Sequence, residues 1–345
     1  MKILGIETSC DETAAAIIEG DLNNKKVKLL SNTVATSLSL HATTGGIIPE
    51  NAAREQVKYI IPVIENTIKN CKLKIEDLDA IAVTVGPGLI GSLLIGVETA
   101  KILAAVLNKP IIPVNHLFGH IYANWIENEN INNEEIEFPA LSLIVSGGHT
   151  DLVLINKHGD IKWLGGTRDD AAGEAFDKIG RLLNLPYPGG PSIEKNTKLG
   201  NNKRFNFPKP LINSDDFDFS FSGLKTAVLR EILKLREGNK ELSSTDINDV
   251  CACLQKTIID ILISKTLKAA KKYNAKSIIL GGGVSANQAL KEKFEVESLK
   301  LNIPLFIPNK QFCTDNGAMI ATAGFYNYKE LPWQEIIANP ELYFD

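Results

Sequence analysis

The chain has 345 residues, 44% hydrophobic and 23% charged, with 41 acidic against 37 basic side chains for a net charge of −4. That length exceeds what one hydrophobic core usually supports, so two lobes are expected. The acidic balance excludes nucleic-acid binding by bulk charge, so any such contact must come from a local patch or a partner chain.

In chain order, Met1 leads directly into a strand-like run, Lys2–Glu7, which leaves no room for a leader peptide. Strands are expected at Thr13–Glu19 and Val27–Thr36. Then come a helix over Glu50–Asn70, a strand at Ala80–Val85 and a helix over Leu89–Leu107. The apolar stretch Gly88–Leu107 contains Glu98 and Lys101, which makes it a buried helix and not a membrane span. A strand at Pro110–Val114 and a helix over His116–Glu127 follow, and the polar Glu127–Glu137 segment reads as a linker.

The order then repeats. Strands are expected at Ala140–Val145, Thr150–Asn156 and Ile161–Leu164, then a helix over Ala171–Leu183. An irregular stretch, Pro186–Phe221, and two helices lead to strand Ser277–Leu280, helix Ser285–Phe294, strand Leu305–Ile307 and helix Asp315–Phe325. Two such series predict an α/β protein of two related lobes around a cleft, lobe I being 1–137 with about 308–345 and lobe II 138–307 with an insertion at 186–221. In open α/β sheets ligands sit at the carboxyl ends of strands, so the informative loops are Glu7–Thr13, Ser146–Thr150, Gly281–Ser285 and the turn before Asp315.

The Glu7-Thr-Ser-Cys-Asp-Glu-Thr13 turn gathers three carboxylates and three hydroxyls, which suits either a polar hairpin or a catalytic edge. In Val145-Ser-Gly-Gly-His-Thr150, adjacent glycines let backbone N–H groups converge on an anion. Gly281-Gly-Gly-Val-Ser-Ala-Asn287 follows a strand and opens a helix, whose N-terminus favours phosphate. Gly86-Pro-Gly-Leu-Ile-Gly91 matches the dinucleotide fingerprint formally, but no carboxylate stands about 20 positions on, so it reads as a tight strand-to-helix turn.

His116-Leu-Phe-Gly-His120 puts two of the chain's five histidines at i, i+4 on one helix face, a spacing suited to a metal. Leu117 stands where a zinc protease needs its general-base glutamate. Asp315 is either a third ligand or a helix N-cap. Asp170, Glu174 and Asp177 share a helix face, and Asp177 lies too deep for a dipole role alone. Between Glu194 and Pro210, Lys195, Lys198, Lys203, Arg204 and Lys209 surround Phe205 and Phe207, a solvated loop or a local RNA contact. Five cysteines without a CxxC pair fit reduced thiols in a cytoplasmic protein.

Together with Gly45-Gly-Ile-Ile-Pro-Glu50, Phe219-Ser-Phe-Ser-Gly223 and Thr314-Asp-Asn-Gly-Ala-Met319, these motifs resemble, in order from Lys2 to about Tyr326, the universal tRNA threonylcarbamoyladenosine transferase family in its bacterial form. The resemblance implies an actin-like ATPase (ASKHA) fold of two ribonuclease-H-like lobes. It implies transfer of threonylcarbamoyl from threonylcarbamoyl-AMP to N6 of adenosine 37 in tRNAs reading ANN codons. It makes His116, His120 and Asp315 ligands of one divalent metal, iron (Fe2+) ahead of zinc (Zn2+), and lines the nucleotide site with Ile144, Val145, Ser146, Gly147, Gly148, Asp177, Gly190, Glu194 and Asn287. It implies as partners the tRNA anticodon loop, a smaller paralogous (TsaB-like) subunit docked on lobe I helices, and an ATPase (TsaE-like) subunit. A separate synthase makes the donor, and no membrane is involved.

The expected base for the N6 proton is Asp11, with Glu12 as orienter or alternate. One departure is Gln56, where the family usually carries histidine; an amide supplies no acid–base proton. Three rivals remain. A metallopeptidase lacks its glutamate, a sugar or acetate kinase of the same fold would release ADP from ATP, and a scaffold would tolerate loss of the histidine pair.

Overall fold

The apolar run Ile3–Ile6 becomes strand β1 (Lys2–Glu7), whose residues after Lys2 are all buried because both faces of its sheet are covered. The computed structural model describes residues 1–24, 26–38, 40–41, 46–126, 135–237 and 241–344. Most of the expected linker and Gly45 of the Gly-Gly motif lie outside them. The chain divides into two compact units, Met1–Glu135 with Pro308–Asp345, and Ile136–Ile307.

In the first unit, β2 (Glu12–Asp21) and β3 (Lys26–Thr36) extend the sheet antiparallel from β1. β4 (Ala80–Gly86) and β5 (Ile111–Asn115) extend it in parallel from the other edge, in the order β3-β2-β1-β4-β5. Helix α1 (Pro49–Asn70) starts with proline at its first turn, where no intrahelical N–H is needed. Its buried stripe, Ala52, Gln56, Ile60, Val63, Ile64 and Thr67, has helical spacing and is apolar except at Gln56 and Thr67. α2 (Ile90–Leu107) packs beside α1. α3 (His116–Tyr122) follows β5 directly and contacts α10, defined below.

The second unit repeats the pattern. β6 (Ala140–Val145), β7 (Thr150–Lys157) and β8 (Asp160–Gly166) are antiparallel, and β9 (Ser277–Gly281) and β10 (Leu305–Phe306) run parallel beyond β6. The order β8-β7-β6-β9-β10 is that of the first sheet element for element. This is the actin-like fold with a ribonuclease-H-like sheet in each unit. Helices α4 (Ala172–Leu182), α5 (Gly189–Thr197), α6 (Ser222–Leu235), α7 (Ser244–Lys272) and α8 (Gln288–Leu301) belong to this unit. The chain then returns to the first unit as α9 (Lys310–Cys313) and α10 (Gly317–Tyr326). α10 lies so close to β1 that a Cβ on Gly5 would meet Gly317 O at 2.2 Å, which puts the start of α10 over the sheet.

Four expectations need correction. The helix after β5 ends at Tyr122 and continues only as a 3-10 turn, Ala123–Trp125. The stretch 186–221 contains α5, because Pro188 precedes the helix and Pro191 lies in its first turn, where proline removes no helical hydrogen bond. The helix expected from Asp315 starts at Gly317 with Asn316 as its cap. Finally, α2 is buried on one face only: Leu93, Val97, Ala100 and Ala104 face the core, whereas Ile90, Leu94, Ile102 and Val106 are exposed. By length and composition α2 could cross a membrane, and that packed inner face makes it a core helix instead.

Candidate functional site

In the first unit, α3 begins where β5 ends because the Asn115 side chain accepts the Leu117 N–H at 2.8 Å. That cap sets His116 and His120 one turn apart, their ring centroids 4.7 Å apart and both rings buried. Asp315 reaches them from the turn between α9 and α10. Its Oδ1 lies 3.3 Å from His120 Nε2 and 3.6 Å from His116 Nε2. The cap of α10 is not Asp315 but its neighbour: Asn316 accepts the Met319 N–H at 2.9 Å.

Behind the triad stands Glu7, a residue the sequence reading held only as part of a polar turn. Its wholly buried carboxylate closes β1, accepts hydrogen bonds from Thr84 Oγ1 and the Ser9 N–H, and faces His116 Nδ1 at 3.0 Å. An acceptor there fixes the proton on Nδ1 and leaves Nε2 facing Asp315. Burial pulls the His116 pKa down, but the charges of Glu7 and Asp315 outweigh it and raise it to about 9. His120 is different: neither ring nitrogen has a hydrogen-bond partner among the described residues, although the ring is 1% exposed. Leaving a buried imidazole nitrogen unpaired costs about 1–3 kcal/mol. A cation offsets that cost: the three candidate ligand atoms lie within 4.8 Å of one another. Two imidazoles and one carboxylate suit a divalent transition metal, Fe2+ or Zn2+.

The β1–β2 turn adds Cys10, Asp11 and Glu12. Burial, then the charges of Asp315 and Asp11 and a hydrogen bond with Asp11, hold Glu12 well above the usual carboxylate range. Burial likewise raises the Cys10 thiol. Gln56 is buried on α1 with its amide nitrogen against this turn. Gly86-Pro-Gly88 is packed against the chain itself, since a Cβ at Gly86 would meet Asn339 O at 1.8 Å, as a tight turn requires.

The second unit has its own arrangement. Ser146 N–H donates to His149 O at 2.9 Å, closing the β6–β7 turn with Gly147 and Gly148 exposed at its tip. A Cβ at Gly147, Gly148 or Gly190 would meet nothing within 4 Å, so the protein's own packing does not require glycine there. By contrast a Cβ at Gly282 would meet Val145 O at 2.4 Å, so that glycine serves internal packing and not ligand approach. Ile144 and Val145 are wholly buried and shape the turn from below. Asp177 accepts the Gly189 N–H at 2.7 Å, tying α4 to the start of α5. Glu194 accepts the Gln288 N–H at 2.7 Å, tying α5 to the start of α8. Asn287 caps α8 through Leu290 N–H and donates to Gln255 Oε1 at 2.8 Å, so both ends of its amide are engaged. These residues fix helix N-termini, which carry the positive end of the helix dipole.

Elsewhere in this unit several charges are paired. Asp170 and Glu174 both bind Lys178, Arg204 binds Asp246 and Asp249, and Lys209 binds Asp260. Phe207 is buried and Phe205 stacks on it. Of the basic run, only Lys195, Lys198 and Lys203 remain exposed without an ion pair among the described residues.

The fold is that of actin-like proteins, here with a His-His-Asp cluster that is a candidate metal centre and with open glycine turns. Residues 28–322 match the sequence profile of TsaD, tRNA N6-adenosine threonylcarbamoyltransferase. The chain is 48% identical over 342 residues to the protein of that name from Thermosipho melanesiensis, covering 99% of each. It is 46% identical to the one from Staphylococcus epidermidis, covering 95% of this chain and 92% of the other. The chain belongs to the tRNA N6-adenosine threonylcarbamoyltransferase family. Among solved structures, full-length HypF in its phosphate- and nucleotide-bound form aligns with TM-score 0.58 at 14% identity over 94% of this chain. The HypF of T. kodakarensis aligns with TM-score 0.59 at 15% identity over 94% of this chain. The chain spans about half of either HypF chain, 46% and 47%, and these likenesses concern the fold alone.

Proposed function

We infer that this chain makes N6-threonylcarbamoyladenosine on tRNA by moving a threonylcarbamoyl group from threonylcarbamoyl-AMP to N6 of adenosine 37 in tRNAs reading ANN codons. Family membership over 99% of the chain carries the reaction. The observation that supports metal assistance is buried His120, whose ring nitrogens make no hydrogen bond among the described residues and whose Nε2 faces Asp315 beside His116.

His116, His120 and Asp315 would hold one divalent ion, iron ahead of zinc, which when bound supplies Lewis acidity toward the carbamoyl oxygen. In the transfer itself the N6 amine bonds to the carbamoyl carbon, the carbon–oxygen bond to phosphate breaks, and AMP leaves. The amine sheds a proton as it attacks, and Asp11 takes it. Glu12, whose carboxyl burial and the charges of Asp315 and Asp11 push well above the usual range, orients Asp11 through their shared hydrogen bond. Backbone N–H groups at Gly147 and Gly148, beyond the Ser146 N–H that closes the turn, hold the donor phosphate. Gly190 admits the nucleotide closely, while Asp177, Glu194 and Asn287 keep the surrounding helix starts in place.

Surface chemistry supports one partner. Val57 and Ile61 on α1 and Ile102 and Val106 on α2 form an exposed apolar face, which fits a smaller paralogous subunit. The ATPase subunit and the donor synthase come with the family reading, as does a cytoplasmic setting for a tRNA substrate.

The test is transfer of labelled threonylcarbamate from threonylcarbamoyl-AMP to unmodified tRNA, with and without the partner subunits. Label on adenosine 37 is expected. Label that stays on the donor in the complete mixture, or release of ADP from ATP by this chain alone, would favour the kinase reading.

A further inference from the structure

The β1–β2 turn is held by its carbonyls, and one side chain takes three of them. Gln56 Nε2 donates toward Thr8 O at 3.3 Å, Cys10 O at 3.1 Å and Glu12 O at 2.9 Å. Ser9 O accepts the Leu89 N–H at 2.8 Å, and Cys10 O accepts a second bond from Ser92 Oγ at 3.1 Å. Asp11 O accepts Ser37 Oγ at 2.8 Å and the Ser37 N–H at 3.3 Å. The two amide hydrogens of Gln56 serve Cys10 O and Glu12 O, with the longer contact to Thr8 O sharing one of them, so the four carbonyls from Ser9 to Glu12 are bonded by residues of α1, of α2 and its approach, and of the segment after β3.

Three carbonyls around one terminal atom identify it as the amide nitrogen. Gln56 is 1% exposed, and its Oε1 then has no hydrogen-bond partner among the described residues. A buried acceptor left this way is unfavourable, so what the site gains from Gln56 comes through its nitrogen. That gain is geometric. The two peptide planes flanking Asp11 set its φ and ψ, and hence the direction of its side chain. One plane is anchored at Cys10 O by Gln56 and Ser92, the other at Asp11 O by Ser37.

We propose that Gln56 is a positioning residue for transfer: its amide locks the curvature of the turn and so aims Asp11, without touching substrate or metal. The proposal rests on Asp11 as the base. It assigns position 56 a role that needs an N–H donor and no proton exchange.

The experiment uses the complete enzyme with its partner subunits, threonylcarbamoyl-AMP and unmodified tRNA. Gln56→Met has the same reach and no donor, and its kcat should fall by about 100-fold, the scale of a catalytic group misplaced by about 1 Å. KM for the donor and affinity for added Zn2+ should stay within twofold, because the glycine turns and the histidine pair are untouched. Gln56→His returns a single N–H at similar reach and should recover about tenfold of the loss. Wild-type kcat in Gln56→Met overturns the proposal, as does a loss seen equally in donor KM or Zn2+ affinity. Should Gln56→Met not fold, Gln56→Glu, of the same shape with an acceptor in place of the N–H donor, decides: a lowered kcat with unchanged KM and Zn2+ affinity supports the clamp, and wild-type kcat overturns it. Asp11→Ala is run in parallel; normal transfer there removes the base assignment, a failure distinct from any outcome of the Gln56 variants.

Discussion

At the residue scale, Glu7 and His116 form the pair on which the candidate metal centre turns. Replacing Glu7 by Gln keeps the shape, removes the charge, and should weaken divalent-metal affinity by about 10–100-fold, the range for a lost partner behind a ligating histidine, read by titration of the metal-free protein. The same pair has a pH signature. With the pKa of His116 raised to about 9 from the ordinary imidazole value of 6.5, its charged form stabilises the metal-free fold fully below about pH 6.5. That contribution is lost as pH rises through about 9. Thermal unfolding of the metal-free protein should therefore drop in temperature between pH 7 and 9.5, with Glu7→Gln showing a flatter profile. Metal uptake removes the Nε2 proton, so affinity should climb over the same interval. Of this centre, the i, i+4 spacing made the histidines legible in the sequence. Asp315 was named by the family resemblance alone, since by residue pattern a helix cap explained it equally well until Asn316 proved to be the cap. Glu7 was hidden because a carboxylate ending an apolar strand does not reveal which side chain it will meet 109 residues on.

At the element scale, three asparagines place the chemistry. Asn115, Asn287 and Asn316 each cap a helix, and each helix starts beside a proposed site residue or contains it. In the second unit the distinction is between glycines the fold needs and glycines it does not. Gly148→Val should leave stability within about 0.5 kcal/mol of the parent, as for an unobstructed surface change, yet abolish transfer through lost donor binding. Thermal unfolding and donor-binding calorimetry on that variant check both halves. Gly173→Ala should do the reverse, destabilising the unit, because its Cβ would sit 2.4 Å from Ser146 O. Sequence spacing found the Ser146–Gly148 turn. It missed α5, where a Pro-Gly-Gly-Pro string looks like a break and is in fact a helix start.

At the scale of the whole molecule, the duplicated sheet order was readable because strand and helix periodicities recur in the same sequence twice. The outer face of α2 was not. An apolar helix reads as buried whichever side the core takes, and only packing shows that Ile102 and Val106 remain exposed. Ile102→Glu combined with Val106→Glu should leave unfolding of the isolated chain unchanged and abolish its complex with the paralogous subunit, as measured by sedimentation. The sequence by itself determined the fold class, the repeated architecture, the histidine pair and the glycine turn at Ser146–Gly148, since each is set by local spacing. The tertiary structure decided the rest: Glu7 behind His116, Asp315 released from capping, and Gln56 across three carbonyls of the turn that carries Asp11. Those contacts join residues far apart in the chain, and close packing, which no local pattern encodes, selects them.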